Sequence, residues 1–422
     1  MNKAVLAAVL MLGIVLRLGY AAWVSPSQFD SDERDYAASA IALLDRASFE
    51  ETVRFHVPPA TPLLYAMVFG VLGRGNAQIW FAQAFLFAAI GVTIYLLGTG
   101  LAGKTAGLLA VLFAALYPYF IYFSGLALSE TAGVLAISAM LVVGVRAARN
   151  GRWQDCLGFG ALVAIAALTR AAVFYFVLAV PLVFAIAWGV RSGRWVKASA
   201  LALAGFLVLY LPWTAVNYRA FGEFIPTPTI GSGVMLYQTA LRLTIPDEAE
   251  RLTFLRREIL PRYYEPPGAS HHDRLAGDRY LQREGKRIIA ANIGGYPEIA
   301  WQNFLRFWQF YPNAPEGETT TRRVYRLLGL GSYGVLFPLF VLGLWLGRHE
   351  FRRLAVLYGF LCYFTLVHCL VYGKLRYRIP MDGVILAFSA SGALWVAERL
   401  VTGRLHVFER WLAGKPAAQK GN

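Results

Sequence analysis

The sequence predicts an all-α integral membrane protein with about ten transmembrane helices. Hydrophobic residues make up 57% of its 422 residues, and apolar runs long enough to cross a bilayer recur along the chain. Mean hydropathy is +0.49 and only 15% of residues are charged, which excludes an ordinary soluble domain. The net charge of +15 lies in short basic clusters between apolar runs, as in cytoplasmic loops, so no nucleic-acid partner is expected.

The first predicted span covers residues 4–24, and Lys3 before it favours a cytoplasmic N-terminus. No small-residue cleavage site follows this run. We therefore interpret it as a retained span and not as a signal peptide.

Residues 25–76 form the predicted first outer loop, with two juxtamembrane helices. Apolar residues recur at helical spacing over 33–44, which suits a helix lying on the membrane surface. The second stretch, 58–72, is broken by prolines and could instead cross the membrane. A crossing there would put the basic cluster at 146–152 outside, against the positive-inside rule. We therefore predict that 58–72 stays on the surface.

The same rule places the C-terminus in the cytoplasm. The predicted spans and loops divide the chain into three parts. These are a transmembrane module with the first outer loop (1–216), an extracytoplasmic loop region (217–325), and the last spans with a cytoplasmic tail (326–422). In the loop region, 278–292 and 297–308 are predicted to be amphipathic helices near the membrane interface. The remaining predicted spans are 77–101, 105–123, 130–145, 156–168, 172–190, 198–216, 326–346, 354–372 and 379–397.

Acidic residues are concentrated at the start of the first outer loop, where four carboxylates lie within residues 29–36. On most surfaces such a cluster is the acidic first turn of a helix. Asp32 and Glu33 gain a second interpretation because the topology puts Glu130, at the next outer turn, on the same side. By itself, Glu130 would be read as a carboxylate near the start of its span.

Cations also collect on this outer side, where short loops should be poor in them. Lys374, Arg376 and Arg378 lie between two predicted spans, and Arg170 ends another. Taken alone, these side chains could extend to the phosphates of the outer leaflet while their stems stay in the membrane. Charged residues at membrane depth are nonetheless functional-site hypotheses by default, and here acids and arginines meet at one interface.

This combination suits the transfer of a sugar from a lipid carrier. A carboxylate can remove the proton of a hydroxyl or amine acceptor as general base. Arginines can hold a phosphate leaving group through forked, charge-assisted hydrogen bonds. A polyprenyl phosphate carries its phosphate at the depth of the predicted site. We therefore expect a polyprenyl-phosphate-linked sugar as donor, with membrane lipids around the site.

Five short motifs occur in order along the chain: Asp32-Glu33-Arg34-Asp35-Tyr36, Arg54-Phe55-His56-Val57-Pro58-Pro59, the stretch from Tyr117-Pro118 to Leu128-Ser129-Glu130, Leu211-Pro212-Trp213 with residues 217–222, and Arg376-Tyr377-Arg378-Ile379-Pro380. Together they resemble motifs of the GT-C glycosyltransferases, especially relatives of the aminoarabinose transferase ArnT and the protein O-mannosyltransferases. The resemblance covers most of residues 1–400 and implies the GT-C fold.

The resemblance implies that Asp32 is catalytic, and we expect it to act as general base in a single displacement with inversion. Glu33 and Glu130 would orient the acceptor or tune Asp32. One set of cations is expected to bind the donor phosphate. A second set, of aromatic and histidine side chains, is expected to contact the sugar or isoprenoid. The first set is Arg376, Arg378, Lys374, Arg170 and Arg54, and the second is Tyr36, His56 and Tyr377.

One position departs from the ArnT pattern. Relatives of ArnT often carry Lys before the proline of the second surface helix, a candidate phosphate contact, and here that place is Val57. Phosphate binding is therefore expected to depend more heavily on the arginines. Some relatives hold zinc through a residue near His56, but this sequence offers no clear second ligand. We expect no required metal or other cofactor.

We therefore predict a plasma-membrane glycosyltransferase of the cell envelope with an extracytoplasmic active site. The acceptor stays open between lipid A, as in lipopolysaccharide modification, a protein, and another glycan. One alternative is a transporter or flippase of lipid-linked sugars, which would predict inverted repeats or paired broken helices that the sequence does not reveal. Another alternative is a non-catalytic scaffold, which the charge cluster disfavours.

Overall fold

The computed structural model describes residues 3–24, 31–46, 57–227, 229–264, 269–312 and 319–402. Every regular element in these ranges is a helix, which confirms the all-α prediction. Six helices are long and apolar enough to cross a membrane, or seven if one bent pair forms a single span. The chain is therefore a multi-pass membrane protein. The figure of ten spans stays a prediction, because the further crossings would use shorter apolar helices.

The transmembrane module and first outer loop contain α1 (Lys3–Val24), α2 (Ser31–Arg46), α3 (Ala60–Leu72), α4 (Asn76–Ala102), α5 (Lys104–Leu116), α6 (Pro118–Ser124), α7 (Glu130–Asn150), α8 (Trp153–Thr169), α9 (Phe176–Trp188) and α10 (Arg194–Phe221). Helices α2 and α3 confirm the two helices predicted for the outer loop. With 13 residues, α3 is about 20 Å long and too short to cross a hydrocarbon core of about 30 Å.

The predicted span 105–123 is broken. Its two parts, α5 and α6, meet at an angle of 55° at Tyr117. Pro118 lacks the backbone N–H that would donate to the carbonyl of Ala114 in a continuous helix. The break directs the chain into the irregular turn at 125–129, which precedes α7.

Helices α8 and α10 pack with their backbones in close contact. A Cβ atom on Gly160 would lie 1.7 Å from the carbonyl oxygen of Ala202, and one on Gly205 would lie 2.1 Å from that of Leu157. Only glycine permits this approach, which is a common way for membrane helices to associate. Helix α8 ends at Thr169, and Arg170 follows it directly.

The region after α10 forms a small helical layer with a core of its own. It contains α11 (Ser232–Ala240), α12 (Glu248–Phe254), α13 (His271–Ala291) and α14 (Tyr296–Phe307), and a π-helix, Leu255–Tyr264, continues α12. Helices α13 and α14 confirm the two helices predicted in this region. The core consists of Val234, Tyr237, Leu241, Leu255, Ile259 and Leu281.

The last helices are α15 (Thr319–Gly329), α16 (Val335–Gly347), α17 (Ala355–Leu370), α18 (Leu375–Arg378) and α19 (Asp382–Thr402). Helix α19 packs against α16, α5 and α4. The turn Ile379–Met381, between α18 and α19, packs against α7. This contact brings the basic residues of α18 to the first turn of α7, where Glu130 lies.

Candidate active site

A cavity of about 380 Å³ lies where the first outer loop, the start of α7 and the segment around α18 meet. Part of its wall is apolar and comes from the segment after α8, from α11 and from the end of α17. Five of the side chains predicted from the sequence line it: Asp32, Tyr36, Arg170, Arg376 and Tyr377. The structure therefore brings together residues from both ends of the chain.

Arg376 joins two carboxylates at the edge of this cavity. Its Nη1 atom donates to Oδ2 of Asp32 at 2.7 Å, and its Nε atom donates to Oε1 of Glu130 at 2.5 Å. The Glu130 side chain is fully buried, whereas the side chain of Asp32 is 55% exposed and that of Arg376 is 31% exposed. The acids after the first span and the arginine before the last helix thus share one site.

Arg170 forms a second layer of this network. Its Nη1 atom donates to the hydroxyl of Ser129 at 2.9 Å and lies 3.4 Å from Oε1 of Glu130. Its guanidinium lies 5.5 Å from the centre of the Tyr377 ring. Tyr36 also donates to the Ser129 hydroxyl, at 3.1 Å, and burial raises the pKa of the Tyr36 phenol to about 12. The phenol therefore stays protonated at neutral pH.

The irregular turn at 125–129 is held by three neighbouring helices. Oε1 of Glu33 accepts from the amide of Ala127 at 2.6 Å, and the Tyr65 hydroxyl donates to the carbonyl of Leu128 at 2.5 Å. Gln83 donates to another carbonyl of the turn. Irregular backbone near a membrane needs such partners because lipid offers none. Glu33 was predicted to act on the acceptor or on Asp32, but its position fits a structural support of this turn better.

Arg17 is a buried arginine that the sequence reasoning missed. It lies in α1, is 2% exposed, and donates to the carbonyls of Ala114 at 3.2 Å and Ala115 at 3.4 Å. These carbonyls lie at the end of α5, beside the proline break, where helix carbonyls lack amide partners. The guanidinium lies 3.6 Å from the centre of the Phe87 ring. An arginine inside the first apolar run was the available signal.

Arg378 does not line the cavity, so its predicted contact with a donor phosphate does not fit its position. Its side chain is fully buried, and its Nε atom donates to Oδ1 of Asp382 at 2.9 Å. The other carboxylate oxygen of Asp382 accepts from the Tyr117 hydroxyl at 2.8 Å. The Arg378 guanidinium also lies 3.6 Å from the centre of the Tyr333 ring. This cluster anchors α18 to α19, and none of its side chains lines the cavity.

The other predicted cations, Lys374 and Arg54, are not among the described residues that line the cavity. Lys374 is exposed, and its ammonium lies 5.0 Å from the ring of Tyr372. Arg54 and His56 fall outside the residues that the structure describes. Val57, at the place where relatives of ArnT often carry Lys, does line the cavity. The cavity wall is therefore apolar and uncharged at this position.

Asp278 supports the part of the cavity wall just before α11 and was also missed. It lies on α13 and accepts from the amide of Gly233 at 2.8 Å, at the start of α11. Thr229, Gly231 and Ser232, just before this contact, line the cavity. Burial raises the pKa of the Asp278 carboxyl. An acid spaced three residues from Leu275 and from Leu281, on the apolar face of a helix, was the signal in the sequence.

The described residues contain no group of three or more His, Cys, Asp or Glu side chains placed to hold a metal ion. Between Asp32 and Glu130, the Arg376 guanidinium takes the position that a cation shared by the two carboxylates would need. The side chains as arranged therefore do not fit a metal bridging these two acids.

Comparison with known proteins gives one match in sequence and several in structure. Residues 56–216 match the model of a family described as dolichyl-phosphate-mannose-protein mannosyltransferase. No curated protein matches the chain. Among solved structures, the archaeal oligosaccharyltransferase AglB from Archaeoglobus fulgidus, in complex with an inhibitory peptide and a dolichol-phosphate, is 14% identical with a TM-score of 0.59.

The AglB match covers 99% of this chain and 52% of AglB, so the chain spans about half the length of that protein. The apo form of an oligosaccharyltransferase from Archaeoglobus fulgidus gives the same identity and TM-score. ArnT from Cupriavidus metallidurans bound to undecaprenyl phosphate is 14% identical, with a TM-score of 0.45 over 100% of this chain and 87% of ArnT. At these identities the likeness to AglB concerns the fold alone.

Proposed function

We propose, from the GT-C membrane fold that this chain shares with AglB, that it is a glycosyltransferase using a polyprenyl-phosphate-linked sugar. One observation carries the proposal. A carboxylate that can accept a proton, on Asp32, and a guanidinium that can hold a phosphate, on Arg376, lie 2.7 Å apart in one cavity. The match to a mannosyltransferase family and the dolichol-phosphate in the AglB complex support this class of donor.

In the proposed reaction, the acceptor attacks the anomeric carbon of the sugar in a single displacement with inversion. Asp32 takes the acceptor's proton as the acceptor's oxygen or nitrogen forms the new bond. The bond from the anomeric carbon to the phosphate oxygen breaks, and its electron pair stays on the phosphate. Asp32 suits the role of base because its side chain is 55% exposed and an acceptor in the cavity can reach it.

Arg376 and Arg170 are the proposed ligands of the leaving phosphate. Both line the cavity, and a guanidinium can offer two parallel N–H donors to phosphate oxygens. Glu130 lies buried between them, so we propose that it holds both cations in place and does not touch the acceptor. Tyr36 and Tyr377, also on the cavity wall, are the proposed contacts of the sugar or isoprenoid.

We propose that transfer requires no metal, because Arg376 already supplies the positive charge between the two carboxylates. Purified protein treated with a chelator should transfer sugar at the rate of untreated protein. Loss of transfer in the chelator, restored by a divalent cation, would contradict this part of the proposal.

The proposed site faces the extracytoplasmic side of the plasma membrane, with both termini in the cytoplasm. The basic clusters between the spans support this orientation. The acceptor is proposed to be lipid A, a protein or another glycan. A test must therefore offer all three at once.

The test measures sugar transfer from radiolabelled polyprenyl-phosphate sugars to a membrane extract by the purified protein. We expect transfer by the wild type and a loss of about 100- to 10,000-fold in Asp32→Asn, the range for removing a general base. Asp45→Asn is the matched control, because Asp45 lies on the same helix but pairs with Arg74 at the surface. It should leave transfer unchanged.

Two results would contradict the proposal. Equal transfer by the wild type and by Asp32→Asn would remove Asp32 from the mechanism. Movement of labelled lipid across vesicle membranes without any transfer, retained in Asp32→Asn, would favour the flippase instead.

A further inference from the structure

The Arg376 guanidinium binds two carboxylates at once. Its Nη1 atom holds Asp32 at 2.7 Å, and its Nε atom holds Glu130 at 2.5 Å. A donor phosphate bound to Nη1 would need the position that the Asp32 carboxylate fills. In this arrangement the Asp32 carboxylate is bound to the guanidinium and not to an acceptor.

We infer that the donor phosphate displaces Asp32 from Arg376, so that binding of the lipid donor releases the base. This inference rests on the proposed function, in which Arg376 is a phosphate ligand and Asp32 is the base. A polyprenyl-phosphate sugar is a phosphodiester with one negative charge. The exchange therefore replaces one anion on Arg376 by another and leaves the net charge beside the guanidinium unchanged.

Burial decides which of the two carboxylates leaves. Glu130 is fully buried and contacts both Arg376 and Arg170, so separating it from its cations would leave a charge away from water, at high cost. Asp32 lies in the first turn of α2 with its side chain 55% exposed, so water can solvate it after release. Glu130 thus stays as the anchor of Arg376 while Asp32 exchanges.

The exchange also sets the order in which the donor and the acceptor act. Before the donor binds, Arg376 holds the base, and an acceptor that enters first is not activated. During transfer, Asp32 gains the acceptor's proton and becomes a neutral carboxyl, which competes weakly for a guanidinium. When Asp32 loses that proton to water, it again competes for Arg376 and favours release of the polyprenyl phosphate product.

The experiment measures the affinity of undecaprenyl phosphate for purified full-length protein in detergent, for the wild type and for Asp32→Asn. Without the competing carboxylate, Asp32→Asn should bind this lipid about fivefold more tightly, the size expected for loss of one partly exposed ion pair. Undecaprenol, which has the same isoprenoid chain and no phosphate, should bind both proteins equally. A thermal unfolding transition measured on each sample reports whether the variant is folded.

Asp35→Asn is the matched variant. Asp35 lies in the same helix and lines the same cavity, and its substitution removes the same charge without touching the Arg376–Asp32 contact. It should change the affinity for undecaprenyl phosphate by less than about twofold. If Asp32→Asn does not fold, Asp32→Ala replaces it with the same expectation.

Unchanged or weaker binding of undecaprenyl phosphate by the Asp32 variant would overturn the exchange, and so would an equal gain in Asp35→Asn. The assay contains no sugar, so it separates the two proposals. Tighter binding by Asp32→Asn together with no transfer by the wild type would overturn the proposed function and leave the exchange. Transfer by the wild type with unchanged lipid affinity in Asp32→Asn would do the reverse.

Discussion

Arg376 and Arg378 lie two residues apart, yet their surroundings are opposite. Arg376 faces the cavity, is 31% exposed, and is shared by Asp32 and Glu130 from two distant parts of the chain. Arg378 is fully buried, is paired with Asp382 one helical turn away, and lies against the ring of Tyr333. Arg376 is therefore open to the cavity, and Arg378 is closed to it.

The difference follows from helix geometry. Residues two apart in a helix point about 200° apart around its axis, so the two arginines of α18 must face opposite sides. Arg378 points into the buried contact with Asp382, so Arg376 points away from it, towards the cavity. We therefore expect Arg378 to position Arg376 through the backbone that it anchors.

The largest expected effect comes from breaking the buried ion pair between Arg378 and Asp382. Arg378→Met should lower the free energy of unfolding by about 3–5 kcal/mol, because Asp382 is left buried without its cation. Denaturant unfolding of the purified protein in mild detergent measures this loss. The double variant Arg378→Met with Asp382→Leu removes both charges and should recover most of the stability. A single variant as stable as the wild type would show that the buried pair is not needed.

A smaller loss is expected at Arg17, a buried arginine that donates to two carbonyls at a broken helix. Arg17→Met should cost about 1–3 kcal/mol, because the carbonyls of Ala114 and Ala115 lose their donors. In a Pro118→Ala background the new amide can donate to Ala114, so the cost of Arg17→Met should fall. The comparison requires unfolding measurements on all four proteins. Equal costs in the two backgrounds would contradict the proposed link to the proline break.

The smallest effect on stability is expected at Arg376. Arg376→Lys keeps the charge between Asp32 and Glu130 but loses the planar fork, so stability should change by less than about 1 kcal/mol while transfer falls about tenfold or more. Sugar transfer and unfolding should be measured on the same preparation. Arg74→Lys, at a surface pair outside the cavity, is the control and should affect neither. A stability loss as large as that of Arg378→Met would remove the contrast between the two regions.

Much of this architecture could be predicted from the sequence. Apolar runs and the positive-inside rule predicted the helical membrane class, the two helices within residues 25–76 and the proximity of Asp32, Glu130 and Arg376. The resemblance to GT-C enzymes is confirmed at the level of the fold. These features depend on composition and on the order of charges along the chain, which a sequence contains.

Other features depend on side-chain direction and on packing. Nothing in Arg376-Tyr377-Arg378 says which arginine faces a cavity, because that depends on how α18 packs. Glu33 has the sequence context of a catalytic acid and instead accepts from the amide of Ala127. Asp278 reaches the cavity only through the start of α11, 45 residues earlier in the chain. Such contacts arise from tertiary structure, and no local pattern contains them.

A cryo-electron microscopy structure of the full-length protein with undecaprenyl phosphate tests the central claim most directly. We expect the phosphate within hydrogen-bonding distance of the Arg376 guanidinium, with Glu130 still paired to Arg376 and the Asp32 carboxylate released from it. A phosphate bound elsewhere, with the 2.7 Å contact between Asp32 and Arg376 intact, would contradict it.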